Sequence, residues 1–337
     1  MADNDYAVVV GISRYLALPE LSGPVNDALS FHRWLHKCGG VPKKNIKLII
    51  TAVASRKKMT RKNASPLRDQ VISALDDIRT NRGPDGKVGR RLYLFLAGHG
   101  YSSKLDDVAL LMANAGNPSY PAIPGADVAK WFRASAEFDE IVLVMDCCRE
   151  ECRTIPHQPV PWEDVLSPNA GSVRYFNAFS AQPFLWARER IISDGKVRGI
   201  FTHALLTAFE LAPPDPVSGG ITGSAVKNYV LNYMRTIIDT QYQEPEMPID
   251  TARDIVLCRP ARKPELTLEL HFGPACRGNA RIVDSNLDEI WSGSIPDDRI
   301  LRRPLLPGKY RIDMADGSGG KRFDVMGAPG EVVHVQV

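Results

Sequence analysis

In the stretch Leu92-Tyr-Leu-Phe-Leu-Ala-Gly-His-Gly100, an apolar run leads directly into a Gly-His-Gly turn. A second stretch of this kind, Ile141-Val-Leu-Val-Met-Asp-Cys-Cys-Arg149, ends in an acid and two cysteines. Short apolar runs without alternation are typical of strands that are buried on both faces. Ligands bind beyond the carboxyl ends of neighbouring strands in an open α/β sheet, so we expect His99 and a cysteine to meet there.

Outward from these stretches, apolar runs alternate with segments of helical periodicity as far as residue 258. Strands are predicted at residues 6–12, 46–50, 92–97, 141–145, 175–179 and 255–258. Helices are predicted at residues 25–38, 67–78, 126–132, 201–210 and 224–239. This alternation indicates an α/β domain over residues 1–258, with a mostly parallel sheet flanked by helices.

The pattern changes after a basic stretch bounded by prolines, Arg259-Pro-Ala-Arg-Lys-Pro264, which is typical of a linker between domains. Beyond it, short strands are predicted at residues 266–272, 280–283, 289–295, 310–315, 321–326 and 332–337. Gly, Pro, Asn and Asp separate them, as in small β-sandwiches. We therefore predict a linker at 259–264 and a small all-β sandwich domain, immunoglobulin-like or similar, at 265–337.

Composition excludes several classes of protein. The chain has 337 residues, of which 44% are hydrophobic and 24% charged, as in ordinary folded proteins rather than disordered ones. The formal net charge of +3 is too small to require a nucleic-acid partner. The longest apolar runs fall far short of the roughly 20 residues that span a bilayer. We therefore expect neither a nucleic-acid nor a membrane partner.

The first residues and the cysteines indicate a cytoplasmic protein. The opening Met-Ala-Asp-Asn-Asp has neither the basic nor the apolar region of a secretory signal. The 6 cysteines lack the regular spacing of a small disulfide framework. In a reducing compartment they are expected to be buried, catalytic or metal-binding thiols.

A cysteine beside a histidine is suited to acyl transfer. A thiol is a strong nucleophile at neutral pH, and a nearby imidazole raises its thiolate fraction or later protonates the leaving amine. The oxyanion that forms needs N–H donors. Glycine allows the backbone to approach a substrate closely, so the N–H of Gly100 and that of the nucleophile itself are the expected donors.

These motifs resemble the caspase-like cysteine peptidases, in which a His-Gly strand end precedes the nucleophilic cysteine by about 50 residues. The segments Phe95-Leu-Ala-Gly-His-Gly-Tyr101 and Asp146-Cys-Cys-Arg149 are most similar to the metacaspase and paracaspase branch. Further similar segments lie at 8–12, 23–28, 180–182, 187–189 and 199–204, so the resemblance spans most of residues 6–258. It implies a caspase-like fold, Cys148 as nucleophile and His99 as its partner, with Cys147 at a variable position.

The resemblance also implies a cysteine endopeptidase whose protein or peptide substrates carry Arg or Lys at P1. Caspases proper have Gln where this chain has Asp146, whereas the metacaspase and paracaspase branch carries an acid there and prefers basic P1 residues. Asp146 would form the floor of the pocket and Asp27 its wall, and two carboxylates can clamp one guanidinium. Glu189 is a weaker third acid. An Asp that begins a helix also serves as an N-terminal cap, and this alternative stays open for Asp27.

No metal ligands and no cofactor are predicted for the site. Many metacaspases depend on calcium, but hard cations need several oxygen ligands and the sequence has no dense acidic cluster. Three alternatives are open. Cys148, Cys152 and His157 could bind zinc, the basic run Ser55–Lys62 could contact nucleic acid rather than form a solvated loop, and the fold could serve as a catalytically silent scaffold.

The segment from 150 to 172 is long, contains prolines and arginines, and is a candidate activation loop. Because we expect it to be exposed, self-cleavage after Arg149 or Arg153 is a hypothesis for activating a zymogen. The β-domain has no evident catalytic residues, so we expect it to dock a regulatory protein. The resemblance implies a role in a cell-death, stress or defence cascade.

Overall fold

The computed structural model of the chain describes residues 2–52, 59–102, 107–116, 118–151, 155, 157–183, 185–192, 195–215, 218–237, 243–250, 253–259, 266–284, 287–315, 319–326 and 332–337, except for the side chains of 150 and 151. The chain divides into two compact units. The first comprises Met1–Leu206 with Val230–Leu257, and the second comprises Thr207–Tyr229 with Cys258–Val337.

The α-helices in the described ranges are α1 Pro24–Lys37, α2 Arg68–Arg79, α3 Gly125–Ser135, α4 Ile200–Leu211 and α5 Gly223–Ile237. The strands up to residue 258 are β1 Asp5–Gly11, β2 Ile46–Ile50, β3 Gly89–Gly98, β4 Gly100–Ser102, β5 Ala109–Leu111, β6 Ala122–Pro124, β7 Phe138–Cys147, β8 Glu150–Glu151, β9 Arg174–Phe179, β10 Glu189–Ile191, β11 Val197–Gly199, β12 Ile221–Thr222 and β13 Val256–Cys258. The later strands are β14 Leu266–His271, β15 Asn279–Asp284, β16 Glu289–Ser294, β17 Ile300–Leu305, β18 Gly308–Met314, β19 Gly320–Val325 and β20 Val332–Gln336.

The first unit is built around a five-stranded sheet in the order β2-β1-β3-β7-β9. Every neighbouring pair in it runs parallel, as predicted. The apolar runs that precede His99 and Cys148 lie in β3 and β7, the third and fourth strands in that order. Their apolar residues from 92 to 97 and from 141 to 145 are buried on both faces of the sheet. Because these strands are parallel neighbours, their carboxyl ends emerge at the same edge.

Helices cover both faces of this sheet. On one face, Phe31 of α1 stacks on Phe95 of β3, with ring centroids 4.5 Å apart. On the other face, Val71 of α2 and Val128 of α3 belong to one apolar core with Leu94 of β3. The alternation of side chains along β3 explains this division, since neighbouring residues point to opposite faces. The predicted sheet with flanking helices is therefore confirmed.

The second unit contains two sheets after residue 265. One has the order β17-β14-β20 and the other has the order β16-β15-β18-β19. Alternate residues of β14, namely Leu266, Leu268 and Leu270, share a buried core with Ile282 of β15 and Ile312 of β18. The two sheets thus pack their apolar faces around one core, while the intervening residues of each strand face outward.

Several features of the described residues differ from the sequence prediction. Strand β17 was not expected, because Pro304 interrupts its pattern; it lies at the edge of its sheet, where a proline is tolerated. The short hairpin of β10 and β11 and the small sheet of β4, β5, β6 and β8 were not predicted either. The division at residues 259–264 stays a prediction. Among the described helices, none combines the length and the hydrophobicity needed to cross a bilayer.

Candidate active site

The carboxyl ends of β3 and β7 bring His99 and Cys148 side by side. Gly98 pairs with Cys147 in the parallel ladder, and Tyr101 of β4 pairs in parallel with Glu150 of β8. Both pairs have the same register offset. His99 and Cys148 lie between these pairs, at the same offset, on adjacent chain segments.

Two groups from the loop after β1 hold His99 in place. Its Nε2 lies 2.9 Å from the carbonyl oxygen of Pro19, and a carbonyl only accepts, so Nε2 carries the hydrogen. In the neutral ring, Nδ1 is then the nitrogen that can accept a proton. The backbone N–H of His99 donates to the Tyr15 hydroxyl at 2.7 Å, and the two rings meet edge to face with centroids 4.8 Å apart. Burial raises the pKa of Tyr15 above its usual range, which keeps the phenol protonated.

Gly100 allows the two chain segments to approach closely. A Cβ atom at this position would lie 2.6 Å from Sγ of Cys147 and 2.8 Å from the carbonyl oxygen of Cys148. Gly100 pairs with Leu110 of β5, and the flanking bond runs from the Leu111 N–H to the His99 carbonyl at 2.8 Å. In an antiparallel ladder this pattern directs the Gly100 N–H away from Leu110.

The two adjacent cysteines have different surroundings. Cys147 is buried against Gly100, and burial raises the pKa of its thiol well above the usual range, so the thiolate is disfavoured. Cys148 is half-buried. The Ala187 N–H donates to its sulfur at 3.3 Å, and the sulfur lies 3.8 Å from the Ala187 carbonyl oxygen. Cys148 is thus the more accessible thiol at the sheet edge.

Asp27 and Asp146 converge on Gly199. The Gly199 N–H donates to Oδ2 of Asp27 at 2.8 Å. Oδ2 of Asp146 accepts bonds from the backbone N–H of Thr202 at 3.1 Å and from its hydroxyl at 2.6 Å. A Cβ atom at residue 199 would collide with Oδ2 of Asp146 and lie 3.0 Å from Oδ2 of Asp27. Glycine at this position therefore lets two buried carboxylates from distant parts of the chain lie against one backbone segment.

The burial of these carboxylates shifts their titration. Burial raises the pKa of Asp27 well above its usual range, and the charge of Asp146 raises it further. Burial also raises the pKa of Asp146 to about 6, against the lowering effect of the hydrogen bonds from Thr202. Among the described residues, Oδ1 of Asp27 has no hydrogen-bond partner. The positive charge near Asp27 and Asp146 therefore does not offset the cost of burying their carboxylates.

Glu189 lies next to this pair but is bonded differently. Its carboxylate accepts the backbone N–H groups of Ser22 and Gly23, each at 3.0 Å, just before α1 begins. A Cβ atom at Gly23 would lie 3.0 Å both from Oε1 of Glu189 and from the Gly199 nitrogen. All three predicted acids are thus brought to the neighbourhood of Gly199, and Glu189 fastens β10 to the start of α1.

Arg149, which was expected to be exposed, is buried, so the expected exposure is wrong, while self-cleavage stays a hypothesis. Its side chain forms an ion pair with Glu246 and lies 5.0 Å from the centroid of the Phe179 ring. Its burial follows from its position one residue beyond the thiol, where the chain still runs along the sheet edge. The other predicted cleavage site, Arg153, lies outside the described residues.

Among the described residues, the structure does not bring together the alternative zinc ligands Cys148 and His157. His157 places Nδ1 3.3 Å from Asp107 and Nε2 3.3 Å from Asp127, so carboxylates face both of its ring nitrogens. Cys148 contacts Ala187 instead. Cys152 lies outside the described residues, as does the first half of the basic run at 55–62.

Several site residues escaped the sequence analysis. Tyr15 and Pro19 lie outside every segment that resembles the family. Ala187 and Thr202 lie in the similar segments 187–189 and 199–204 but had no predicted role. All four contact the predicted residues only through the fold. One signal was present: Tyr15 follows the carboxyl end of β1, the neighbour of β3, and loops at that edge of a parallel sheet build the binding crevice.

Comparison with known proteins identifies the family of the chain. The family model for the caspase domain matches residues 4–217, more than half of the chain. Caspase-1 from Spodoptera frugiperda is similar in structure, with a TM-score of 0.49 and 11% sequence identity over 77% of this chain and 91% of that one. The TIE protein of Bacillus anthracis gives a TM-score of 0.20 and 15% identity over 28% of this chain and 23% of that one. No curated protein matches the sequence. Since the family match contains both strand ends, with His99 and Cys148, the chain belongs to the caspase-domain family of cysteine peptidases.

Proposed function

We propose that the chain is an endopeptidase that hydrolyses peptide bonds after Arg or Lys, with Cys148 as the nucleophile and His99 as acid and base. The observation that carries the proposal is the register at the sheet edge, which makes His99 and Cys148 neighbours. The half-buried thiol of Cys148 and the tautomer imposed on His99 by Pro19 support these roles.

The proposed reaction uses only groups of this chain and water. The Cys148 thiol gives its proton to Nδ1 of His99, and the thiolate sulfur attacks the carbonyl carbon of the scissile bond. The resulting oxyanion accepts hydrogen bonds from the N–H groups of Gly100 and Cys148. The imidazolium protonates the leaving amine as the C–N bond breaks, which leaves a thioester. His99 then takes a proton from water, whose oxygen hydrolyses the thioester and restores the thiol.

The preference for a basic P1 residue rests on Asp27 and Asp146. Charging both buried carboxylates costs free energy, as their raised pKa values indicate. A guanidinium between them would offset that cost. Oδ1 of Asp27, which has no partner among the described residues, is the atom that a P1 cation would satisfy. Arg presents several donors to two carboxylates, whereas the Lys ammonium is more compact.

A latent form of the enzyme is part of the proposal. Both backbone polar groups of Ala187 lie beside the Cys148 sulfur. We propose that this segment withdraws before a substrate carbonyl reaches the sulfur, so that activation requires a change at residues 185–188. Loop cleavage or a partner protein would supply that change, and the burial of Arg149 argues for a cleavage site elsewhere.

The wider setting rests on the sequence resemblance. We propose a metacaspase-like or paracaspase-like enzyme of the cytoplasm that acts on protein substrates in a cell-death, stress or defence cascade. The strands after residue 265 would dock a regulatory protein. The proposed chemistry calls for no cofactor, and an assay with and without chelator tests whether activity depends on calcium.

An active-site label tests the proposal directly. A peptidyl-arginine chloromethyl ketone should add one mass equivalent to the chain, and Cys148→Ala should abolish the addition. Cys147→Ala is the matched control, because its sulfur is buried, and it should still be labelled. Loss of labelling in Cys147→Ala alone would reverse the assignment of the nucleophile. Absence of labelling in every state tested would favour the silent scaffold.

The acidic pocket needs its own comparison. A fluorogenic peptide panel that varies only P1 should show cleavage after Arg and Lys, and Asp27→Asn should reduce kcat/KM for Arg by about tenfold or more, the usual cost of losing one charge-assisted hydrogen bond. Preferred cleavage after Asp would refute the pocket while leaving the nucleophile in place.

A further inference from the structure

Three metal-binding side chains converge on the outward face of β14 and β20. Leu268 and Leu270 of β14 point into the core, so Glu269 and His271 point outward. His334 of β20 pairs directly with Glu269 in the parallel ladder, which puts all three side chains on one face. None of the three residues lies in a motif of the sequence.

The three ligand atoms are close together. Nε2 of His271 lies 3.3 Å from Nδ1 of His334. Oε2 of Glu269 lies 3.2 Å from Nδ1 of His334 and 3.6 Å from Nε2 of His271. Zinc binds imidazole nitrogen at about 2.0–2.1 Å and carboxylate oxygen at about 2.0–2.2 Å in a tetrahedron, so its ligand atoms are roughly 3.3–3.5 Å from one another. The observed separations lie close to that range.

We propose that Nε2 of His271, Nδ1 of His334 and Oε2 of Glu269 form a binding site for Zn²⁺. Two imidazoles with one carboxylate are a common zinc ligand set that leaves a fourth position for water or another ligand. Other first-row divalent transition metals also bind such ligands, with affinities in the Irving–Williams order.

The residues around the site favour a cation and orient the carboxylate. Arg302 of β17 donates to the other oxygen of Glu269, Oε1, at 2.9 Å. Asp298 lies 3.1 Å from the same guanidinium and offsets its charge. This arrangement leaves Oε2 of Glu269 facing the two imidazoles. Supporting hydrogen bonds of this kind hold metal ligands in position.

Metal binding would cross-link two strands that are distant in the sequence. β14 and β20 are neighbours in the sheet although more than 60 residues separate Glu269 from His334 along the chain. A metal that joins these two strands would close the chain between Glu269 and His334 into a loop in the folded state. Unfolding would release the metal. Zinc should therefore raise the thermal stability of the folded chain, by mass action.

Zinc titration of the full chain tests the proposal. The protein is first dialysed against a chelator and then against metal-free buffer, and Zn²⁺ is titrated in by calorimetry. The whole series is made in the Cys148→Ala background, so that zinc binding to the thiol beside His99 does not contribute. We expect one equivalent of Zn²⁺ to bind and the midpoint of thermal unfolding to rise. Co²⁺ in place of zinc should give the intense visible absorption of a four-coordinate ion.

His334→Ala should weaken zinc binding by about 100-fold or more, since even residues that only support a ligand are worth 10–100-fold. The His334 side chain is 63% exposed, so this variant should fold normally without metal. Glu269→Gln is the second variant and should behave in the same way. Gln336→Ala is the matched control, because Gln336 pairs with His271 in the same ladder, and it should bind zinc as the parent does.

Two results would overturn the site: no zinc binding by the parent protein, or equal binding by the parent, His334→Ala and Glu269→Gln. The first would leave the close nitrogens as a hydrogen bond between two imidazoles, and the second would place the zinc elsewhere in the chain.

Discussion

Two neighbouring cysteines have different surroundings because the side chains of successive residues point to opposite sides. Cys147 points into the packed interior against Gly100, and Cys148 points to the opposite side, beside Ala187. Since burial disfavours the thiolate of Cys147, reactivity is expected to concentrate on Cys148. A single position in the register thus decides which sulfur can meet His99.

Replacement of Gly100 by alanine should disable the site without removing any catalytic group. The added Cβ would lie 2.6 Å from the Cys147 sulfur and 2.8 Å from the Cys148 carbonyl oxygen, so one of the two segments must shift. A shift of about 1 Å at reacting groups can cost about 100-fold, and we expect kcat/KM on an Arg-P1 peptide to fall by that order. Gly171→Ala is the control, because nothing lies within 4 Å of the added atom. Activity of Gly100→Ala within twofold of the parent would contradict the proposed packing.

The pH dependence of P1 selectivity should report on Asp146. Burial raises its pKa to about 6, so the carboxyl group is neutral below that pH and charged above it. An arginine at P1 gains from the charged form, whereas citrulline, its neutral isostere, does not. The ratio of kcat/KM for Arg over citrulline should therefore rise by about tenfold as the pH passes upward through about 6.

Taking the ratio cancels the titration of the proposed dyad of Cys148 and His99, because the same groups would act on both substrates. In Asp146→Asn the ratio should be lower at pH 7 and lack the step near pH 6. A step that persists in this variant would move the origin of the titration to another group.

The site residues that could be predicted from sequence are those that combine a reactive side chain with a strand end. His99, Cys148 and Asp146 directly follow or end apolar strands. A parallel sheet alone therefore predicts that they lie at the same edge of the sheet. Tyr15 and Thr202 support them from a loop and a helix, and only the folded chain shows those contacts.

At the opposite, amino-terminal edge of the central sheet, β3 and β7 carry a buried group of charges. Glu140 is almost fully buried and forms ion pairs with Arg90, Arg91 and Arg174. Arg91 is equally buried and also donates to the Tyr93 hydroxyl at 2.8 Å. Three strands of the sheet are thus joined by one carboxylate.

Glu140→Gln should destabilise the fold strongly. Removing one member of a buried ion pair typically costs about 3–5 kcal/mol, because the remaining charge stays buried without its partner. Asp139→Asn is the matched control: Asp139 is the adjacent residue of β7, and its pair with Lys87 is exposed, so a change of about 0–1 kcal/mol is expected. Urea unfolding measures both. Equal free energies of unfolding for the two variants would contradict a structural role for this charge group.

The elements that could be predicted are the long apolar ones, and the misses have a physical pattern. β1, β3 and β7 are buried on both faces and cannot be mistaken for loops. β17 carries two arginines and a proline, so its sequence does not show the pattern that predicts a strand. Its backbone nevertheless pairs along the edge of β14. Edge strands and short hairpins such as β10 with β11 depend on their pairing partners, which the sequence analysis did not identify.

At the scale of the whole chain, the sequence and the structure divide the molecule at different places. The sequence predicts a break at 259–264, from proline and basic charge. The structure groups Thr207–Tyr229 with the residues after Cys258. The two divisions make different predictions about what the last part of the chain can do by itself.

Limited proteolysis distinguishes them. Trypsin does not cut before proline, so within Arg259-Pro-Ala-Arg-Lys-Pro264 only the bond after Arg262 is open to it. We expect brief digestion to cut there and the fragment from 263 to 337 to persist, because the described residues that form the apolar core of β14 to β20 lie within 266–337. Arg262→Gln should remove this cut and leave the rest of the pattern unchanged, as read by mass spectrometry. Rapid degradation of the released fragment would instead show that residues 207–229 are required for its fold, and the predicted domain boundary would then have to move.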